Sequence, residues 1–257
     1  MKPPLVKTLI AMAMTVGALQ TQAAVVSIGQ AEAGPLRINF DKQASGSSNP
    51  TFAPADYGGG AGAPTVSFAG FFAGQELTGC GFDSLLACLS GTPTARLALG
   101  SGSTAIVTTD TQRPDSPQVL AGSGPNSSPF TGPIAILFST DILAFGLDGG
   151  WFDAIGSTSM SAYDRSGKLL GSVQNSAIGI EFLGLGSDNG KDQIAGILLQ
   201  FVAEEKSGIS IDNLRFATSA SEPGNGNNGG GEIPEPGSVA LVGLALAGLG
   251  MARRRKV

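Results

Sequence analysis

The sequence predicts an all-β protein, a β-sandwich, and three observations support this fold class. Turn-forming residues are abundant, with 39 glycines and 15 prolines among 257 residues. Apolar runs in the central region are short, and no long stretch repeats apolar residues at the spacing of an amphipathic helix. Instead, short runs rich in β-branched and aromatic residues alternate with turn residues. Two sheets packed face to face would use such strands.

Eleven strand candidates follow one another at the spacing expected of a sandwich. They are Leu36–Asp41, Thr65–Phe72, Ala95–Leu99, Thr104–Thr109, Ile134–Ser139, Ile142–Leu147, Ser157–Tyr163, Lys168–Gln174, Ile178–Leu183, Ile194–Val202 and Gly208–Phe216. The clearest hairpin joins Thr158–Tyr163 to Lys168–Val173. Its turn contains Asp164, which can bond the backbone ahead of it, and Gly167, which accepts a positive φ.

The last strand candidate changes phase along its length. Ile209 and Ile211 alternate on one phase, whereas Leu214 and Phe216 fall on the other. Side chains of a strand repeat every two residues, so the change predicts a bulge at Asp212-Asn213. A bulge re-aims side chains, and Asp212 could then point toward another acidic group or merely bond nearby backbone.

The N-terminus has the three parts of a secretory signal peptide. Lys2 and Lys7 form a basic region, Leu9–Leu19 is apolar, and small residues follow. We expect signal peptidase to cleave after Ala23 or Ala24, so that residues 1–24 are removed. Exported proteins enter an oxidising compartment. Cys80 and Cys88, the chain's two cysteines, are therefore predicted to form a disulfide.

The C-terminus combines a proline-rich motif, an apolar run and a basic end. The run Val239–Ala252 has 14 residues, so a helix over it covers about 21 Å, against a hydrocarbon core of about 30 Å. It is short for a permanent span. The residues Arg253, Arg254, Arg255 and Lys256 hold its end at the cytoplasmic face. Pro234 and Pro236 keep the preceding peptide extended.

This tail resembles the PEP-CTERM sorting signal of Gram-negative bacteria, in which a Pro-Glu-Pro motif precedes a short apolar helix and an arginine-rich end. The matching residues are Pro234, Glu235 and Pro236, followed by Arg253, Arg254 and Arg255. The resemblance implies cleavage by the membrane enzyme exosortase. It also implies passage through the inner membrane or periplasm to the cell surface or to an extracellular matrix of exopolysaccharide, such as that of a biofilm. A simple membrane anchor is the alternative.

These signals give a domain plan: signal peptide 1–24, β-sandwich 25–217, flexible linker 218–232 rich in Gly, Asn and Ser, and sorting signal 233–257. Between Val25 and Glu232 the chain has 9 Lys and Arg residues against 19 Asp and Glu residues, a net charge of −10. Nucleic acid is a poor partner for so acidic a protein.

A second resemblance concerns the sandwich. Residues 133–217, with Ile38–Asp41 as a first strand, look like the exported β-sandwich domain common in PEP-CTERM proteins. The ending Ile211-Asp212-Asn213-Leu214 resembles the last strand of jelly-roll carbohydrate-binding modules, which implies a jelly-roll-like sandwich. In those modules a terminal aspartate and groups near the first strand often hold structural calcium. The resemblance makes Asp41 and Asp212 the candidate ligands for Ca²⁺.

Catalytic chemistry is weakly represented. The chain has no histidine, which excludes Ser-His-Asp and Cys-His hydrolysis and zinc sites of the His-Glu-x-x-His type. A glycosidase needs only two carboxylates, so a secreted glycan-active enzyme stays open as an alternative. We predict that the protein is not an enzyme.

Aromatic side chains in loops are the remaining candidates for binding. Trp151 precedes Asp153 and follows two glycines, where a flat ring could stack on a sugar beside a hydrogen-bonding carboxylate. A ring folded into the core is the alternative. The sequence thus predicts an exported structural or carbohydrate-binding protein; an adhesion module that binds another protein is a further alternative.

Overall fold

The computed structural model describes residues 25–102, 104–111, 116–124, 128–206 and 208–221. The chain divides into two units, Met1–Glu222 and Pro223–Val257, and all described residues belong to the first. The predicted signal peptide, most of the linker and the sorting signal with its Pro234-Glu235-Pro236 motif lie outside the described residues. Within the described part, no helix is both long and apolar enough to span a membrane.

The described residues form strands joined by turns and a single short 3-10 helix, Pro54–Tyr57. The strands are β1 Val25–Ser27, β2 Leu36–Ile38, β3 Thr51–Phe52, β4 Val66–Ala69, β5 Gln75–Cys80, β6 Asp83–Gly91, β7 Ala105–Thr109, β8 Gln118–Gly122, β9 Ile134–Ile142, β10 Ala144–Phe152, β11 Thr158–Tyr163, β12 Leu169–Gln174, β13 Gly179–Ser187, β14 Ile194–Phe201 and β15 Ser210–Ala217.

Two large sheets account for most of these strands, which confirms the predicted sandwich. One sheet has the order β1-β13-β10-β15-β8-β7, with β2 also paired to β15. The other has the order β12-β11-β14-β9-β4-β3. The pairings within both sheets are antiparallel, so alternate side chains of each strand can point inward while their neighbours face outward.

The core between the sheets is built from phenylalanine rings and branched aliphatic side chains. Phe138 and Phe216 are fully buried, and their rings lie 5.7 Å apart. Phe145 meets Phe138 edge to face at the same distance. The short apolar runs of the sequence therefore suffice for a continuous core, because strands from two sheets contribute to it together.

The strand prediction missed the strands β1, β3, β5, β6 and β8, and it included one segment that is not a strand. Residues 75–91 form the hairpin β5–β6, and the disulfide between Cys80 and Cys88 lies within it. Ala95–Leu99, predicted as a strand, has none of the ladder pairing of one; Leu99 makes only an isolated bridge to Phe72. The alternation that suggested a strand there comes from apolar side chains, Leu97 among them, that pack on the core from an irregular segment.

The predicted hairpin and the predicted bulge are both present. Strands β11 and β12 pair antiparallel, Asp164 Oδ1 accepts hydrogen bonds from the backbone of Ser166 and Lys168, and Gly167 has a φ of 80°. In β15, the register against β10 shifts between the pairs Gly146–Arg215 and Asp148–Asp212, and Asn213 adopts a φ of 50°. The bulge places one extra residue in β15 relative to β10. The apolar side chains before and after it therefore follow different alternations along the strand, as the sequence indicated.

Candidate functional site

Strand β15 carries three polar features along its length, and they are the candidate sites of this protein. Ser210 belongs to a depression around Trp151, Asp212 lies at the bulge, and Arg215 belongs to a second depression on the same sheet. We call the first the tryptophan depression and the second the arginine depression.

The tryptophan depression has a volume of about 290 Å³. The residues that line it come from the ends of β7, β10 and β15 and from nearby loops: Thr109, Asp110, Thr111, Phe130, Gly150, Trp151 and Ser210. Its lining is mixed, with an aromatic ring, hydroxyl groups and a carboxylate close together. That mixture suits a ligand with both an apolar face and hydroxyl groups.

Hydrogen bonds fix the ring and the backbone beside it. The indole Nε1 of Trp151 donates to Asp110 Oδ2 at 2.9 Å, and the Ser210 hydroxyl donates to the carbonyl of Gly150 at 2.9 Å. The peptide bond between Gly150 and Trp151 is cis. Trp151 remains partly exposed, so its ring is oriented by a carboxylate without being folded into the core.

The carboxylate beside the ring differs from the one that the sequence suggested. Asp153 is exposed and lines a separate depression with Ala154, Glu204 and Lys206. Its backbone N–H donates to both carboxylate oxygens of Glu205 at 3.0 Å. Asp110 takes the place beside Trp151 from 41 positions away, a separation that no local motif reveals.

Asp41 and Asp212, the predicted calcium ligands, meet at one hydroxyl group. Ser116 Oγ lies 2.6 Å from Asp212 Oδ2 and 3.0 Å from Asp41 Oδ1. Asp212 is fully buried, whereas Asp41 is exposed. Both carboxylates therefore lie close to one another. Ser116 was not predicted, because a lone serine in a loop carries no sequence signal.

Among the described residues, the surroundings of Asp212 include further polar groups from β10 and β15. Asp148 is its partner across the β10–β15 ladder, and Asp148 Oδ2 accepts a hydrogen bond from Asn213 Nδ2 at 3.0 Å. Among the described residues, no group of three or more His, Cys, Asp or Glu side chains could hold a metal ion. The calcium assignment stays a prediction.

The arginine depression has a volume of about 450 Å³ and was not anticipated from the sequence. Its lining residues lie on β2 and β15, in the segment after β2 and around the 3-10 helix: Arg37, Ile38, Asn39, Lys42, Gln43, Phe52, Ala55, Asp56, Asn213 and Arg215. Arg37 and Lys42 are distant in sequence from Arg215, and the pairing of β2 with β15 brings them together.

The family model of the PEP-CTERM protein-sorting motif matches residues 232–256. This chain carries a PEP-CTERM sorting motif. The match covers Pro234, Glu235, Pro236 and the three arginines 253–255, as the sequence predicted. The PEP-CTERM motif marks an exported protein that exosortase processes on its way toward the cell surface. A comparison with curated proteins finds no match for the chain.

Proposed function

We propose that this PEP-CTERM protein is a non-enzymatic structural or carbohydrate-binding component of the cell surface or extracellular matrix, associated with exopolysaccharide. The observation that carries the proposal is the partly exposed Trp151, whose indole is oriented by Asp110 at a polar depression. Signal peptidase and exosortase are its partners during export, with passage through the periplasm and the inner membrane.

The tryptophan depression has the chemistry of a sugar-binding site. An indole offers a flat apolar face on which the C–H face of a sugar ring can stack. The side chains of Thr109, Thr111 and Asp110 surround it with groups that exchange hydrogen bonds with hydroxyls. A volume of about 290 Å³ suits a single sugar unit of a longer chain that continues outside the depression.

The same lining argues against glycoside hydrolysis at this place. Hydrolysis needs two carboxylates on opposite sides of the bond that breaks, separated by about 5–5.5 Å or about 6.5–9.5 Å. Among the described residues that line the tryptophan depression, Asp110 is the only carboxylate, and it already accepts the indole hydrogen bond. The arrangement therefore favours binding without turnover.

A panel of polysaccharides tests this proposal. We expect the exported protein to be retained on at least one immobilised neutral polysaccharide without releasing reducing ends. Trp151→Ala should lose retention, whereas Trp151→Phe should keep part of it because a ring remains. Release of reducing ends would indicate the glycan-active enzyme instead, and absence of retention on every polysaccharide would leave a scaffold or a module that binds protein.

We further propose calcium as a structural ion held by Asp41, Ser116 and Asp212. These residues offer three oxygen atoms, the ligand type that Ca²⁺ takes. A hydroxyl has one proton, so Ser116 can donate to only one of its two carboxylate neighbours at a time. A cation would make both contacts favourable and would tie the segment after β2 to β15.

A further inference from the structure

We propose that the arginine depression binds the oxyanion group, a carboxylate or a sulfate, of an acidic saccharide. The site is distinct from the tryptophan depression and shares no lining residue with it. The proposal rests on the proposed function only in taking a saccharide as the carrier of the anion. The anion itself is inferred from the cations of the lining and from the buried Nε of Arg215.

Two arginines face each other across a strand pair. Arg37 of β2 and Arg215 of β15 are direct partners in the antiparallel ladder, and both line the depression. Directly opposed residues have β-carbons about 4.5–5.5 Å apart, and like charges at such positions destabilise a sheet. Lys42 adds a third cation to the same depression. An anion bound between them would convert this repulsion into attraction.

The described part of the protein does not neutralise these cations. None of its ion pairs involves Arg37, Lys42 or Arg215. Asp56 also lines the depression, where its Oδ2 accepts the backbone N–H of Ala53 at 2.7 Å, so one carboxylate stands against three cations. The Nε of Arg215 is buried and has no hydrogen-bond partner among the described residues. A buried donor without an acceptor is unfavourable, and an oxyanion supplies the acceptor.

The clustering is unusual for so acidic a chain. Only 9 Lys and Arg residues stand against 19 Asp and Glu residues between Val25 and Glu232, yet three of these 9 line one depression. Positive charges gathered in a cleft focus their field on its interior. A guanidinium group also matches the planar, two-pronged geometry of carboxylate and sulfate oxygens.

The remaining polar lining points to a saccharide carrier. Asn39 and Gln43 place amide groups beside the cations, and Ile38 and Phe52 supply little more than the floor because both are almost fully buried. Amides donate and accept hydrogen bonds and therefore suit sugar hydroxyls. Cations together with amides match an acidic sugar more closely than a simple apolar acid.

Isothermal titration of the exported protein with charged and neutral sugar chains tests the site. The probes are oligogalacturonate against its neutral methyl ester, and dextran sulfate against dextran. We expect saturable binding of at least one charged probe and none at this site of its neutral counterpart. Binding should weaken as NaCl rises, because salt screens exposed charges. The charged probe that binds identifies carboxylate or sulfate as the group.

Matched variants locate the binding. Arg37→Gln and Lys42→Gln should each weaken binding by about tenfold or more, since each removes a charge-assisted contact. Arg96→Gln, an exposed arginine outside the depression, should leave the dissociation constant unchanged. Arg215→Lys keeps the charge but removes the guanidinium fork, and it should also weaken binding. Thermal unfolding of each variant checks that it folds.

These measurements distinguish a failure of the anion site from a failure of the proposed function. Trp151→Ala should leave binding of the charged probe intact, so a failure at the tryptophan depression does not mimic a failure here. Equal binding of the neutral methyl ester and the charged probe by Trp151→Ala, equal affinity of Arg37→Gln and the unaltered protein, or no binding of either charged probe at low salt would overturn the proposal.

Discussion

The C-terminal 25 residues and the sandwich of residues 25–221 carry information in different ways. The tail matches a family model over residues 232–256, whereas the comparison with curated proteins finds no match for the chain. A sorting tail is recognised through a short motif, an apolar run and a basic end in a fixed order. A sandwich needs only inward and outward alternation with turns between, so many unrelated sequences satisfy it.

The two regions indicate different properties of the protein. The tail indicates where the protein is delivered, but it does not indicate what the protein binds. The sandwich carries the two proposed binding sites, with Trp151 on one side of the bulge and Arg215 on the other. Changes in one region should therefore leave the property of the other untouched.

The largest effect should come from the tail. Deleting Val239–Val257, or replacing Pro234-Glu235-Pro236 by alanines, should stop exosortase processing and change where the protein accumulates. Mass spectrometry of the C-terminus and cell fractionation measure both. The sandwich should unfold at the same temperature in the deletion variant. Normal maturation and delivery of that variant would contradict the role of the motif.

The next largest effect should come from the core. Phe138 is fully buried against Phe145 and Phe216, so Phe138→Ala should lower the free energy of unfolding by about 3–5 kcal/mol. Phe82→Ala is the matched control, because Phe82 is 39% exposed and should change stability by about 0.5 kcal/mol or less. Denaturant unfolding measures both. Equal losses would show that the described core does not hold the sandwich.

Calcium should give a smaller stabilisation confined to the sandwich. At about 100 times its dissociation constant, a ligand that binds only the folded state adds about 2.7 kcal/mol, so calcium should raise Tm in metal-free protein. Asp212→Ala should abolish the rise, and Asp188→Asn, an exposed aspartate, should keep it. A Tm unmoved by calcium and by chelator alike would leave Asp212 as a residue that only bonds its protein neighbours.

The smallest effect concerns the two tyrosines, which both lie in the sandwich. Burial raises the pKa of Tyr57 to about 12 from 10.0, and burial also raises the pKa of Tyr163. The unfolded chain therefore loses these protons first. The raised pKa values therefore stabilise the folded protein. This contribution to the free energy of unfolding is complete below pH 10 and declines as pH rises toward 12. Absorbance titration should show both phenols ionising above pH 10, and Tyr57→Phe should remove the later step. Two phenols titrating at pH 10.0 would contradict this burial.

Much of the fold followed from the sequence where local chemistry determines it. The turn at Asp164 and Gly167 and the phase change around Asp212 depend on neighbouring residues, and both were predicted. The hairpin β5–β6 was missed because its sequence lacks a clear apolar alternation: β5 has one aliphatic residue, Leu77, and β6 buries the consecutive residues Leu86 and Ala87. Cys80 and Cys88 were paired correctly, because the chain has no other cysteine.

The candidate sites were predicted less completely because their partners are distant in sequence. Trp151 drew attention as the single tryptophan, but the pairing that brings Asp110 to it depends on the order of β7, β8, β15 and β10 across the sheet. Arg37 and Arg215 are ordinary surface residues until β2 pairs with β15. Sequence reveals residue types, and only the sheet order reveals which of them meet.

The fluorescence of Trp151 tests the central claim most directly. It is the only tryptophan of the chain, so indole emission, excited at wavelengths that the tyrosines do not absorb, reports on the tryptophan depression alone. Titrating the exported protein with fragments of a polysaccharide that retains it should shift or quench the emission along a saturable curve. The dissociation constant should agree with the one from retention. Retention of the protein with emission unchanged at saturating fragment concentrations would contradict a sugar bound at Trp151.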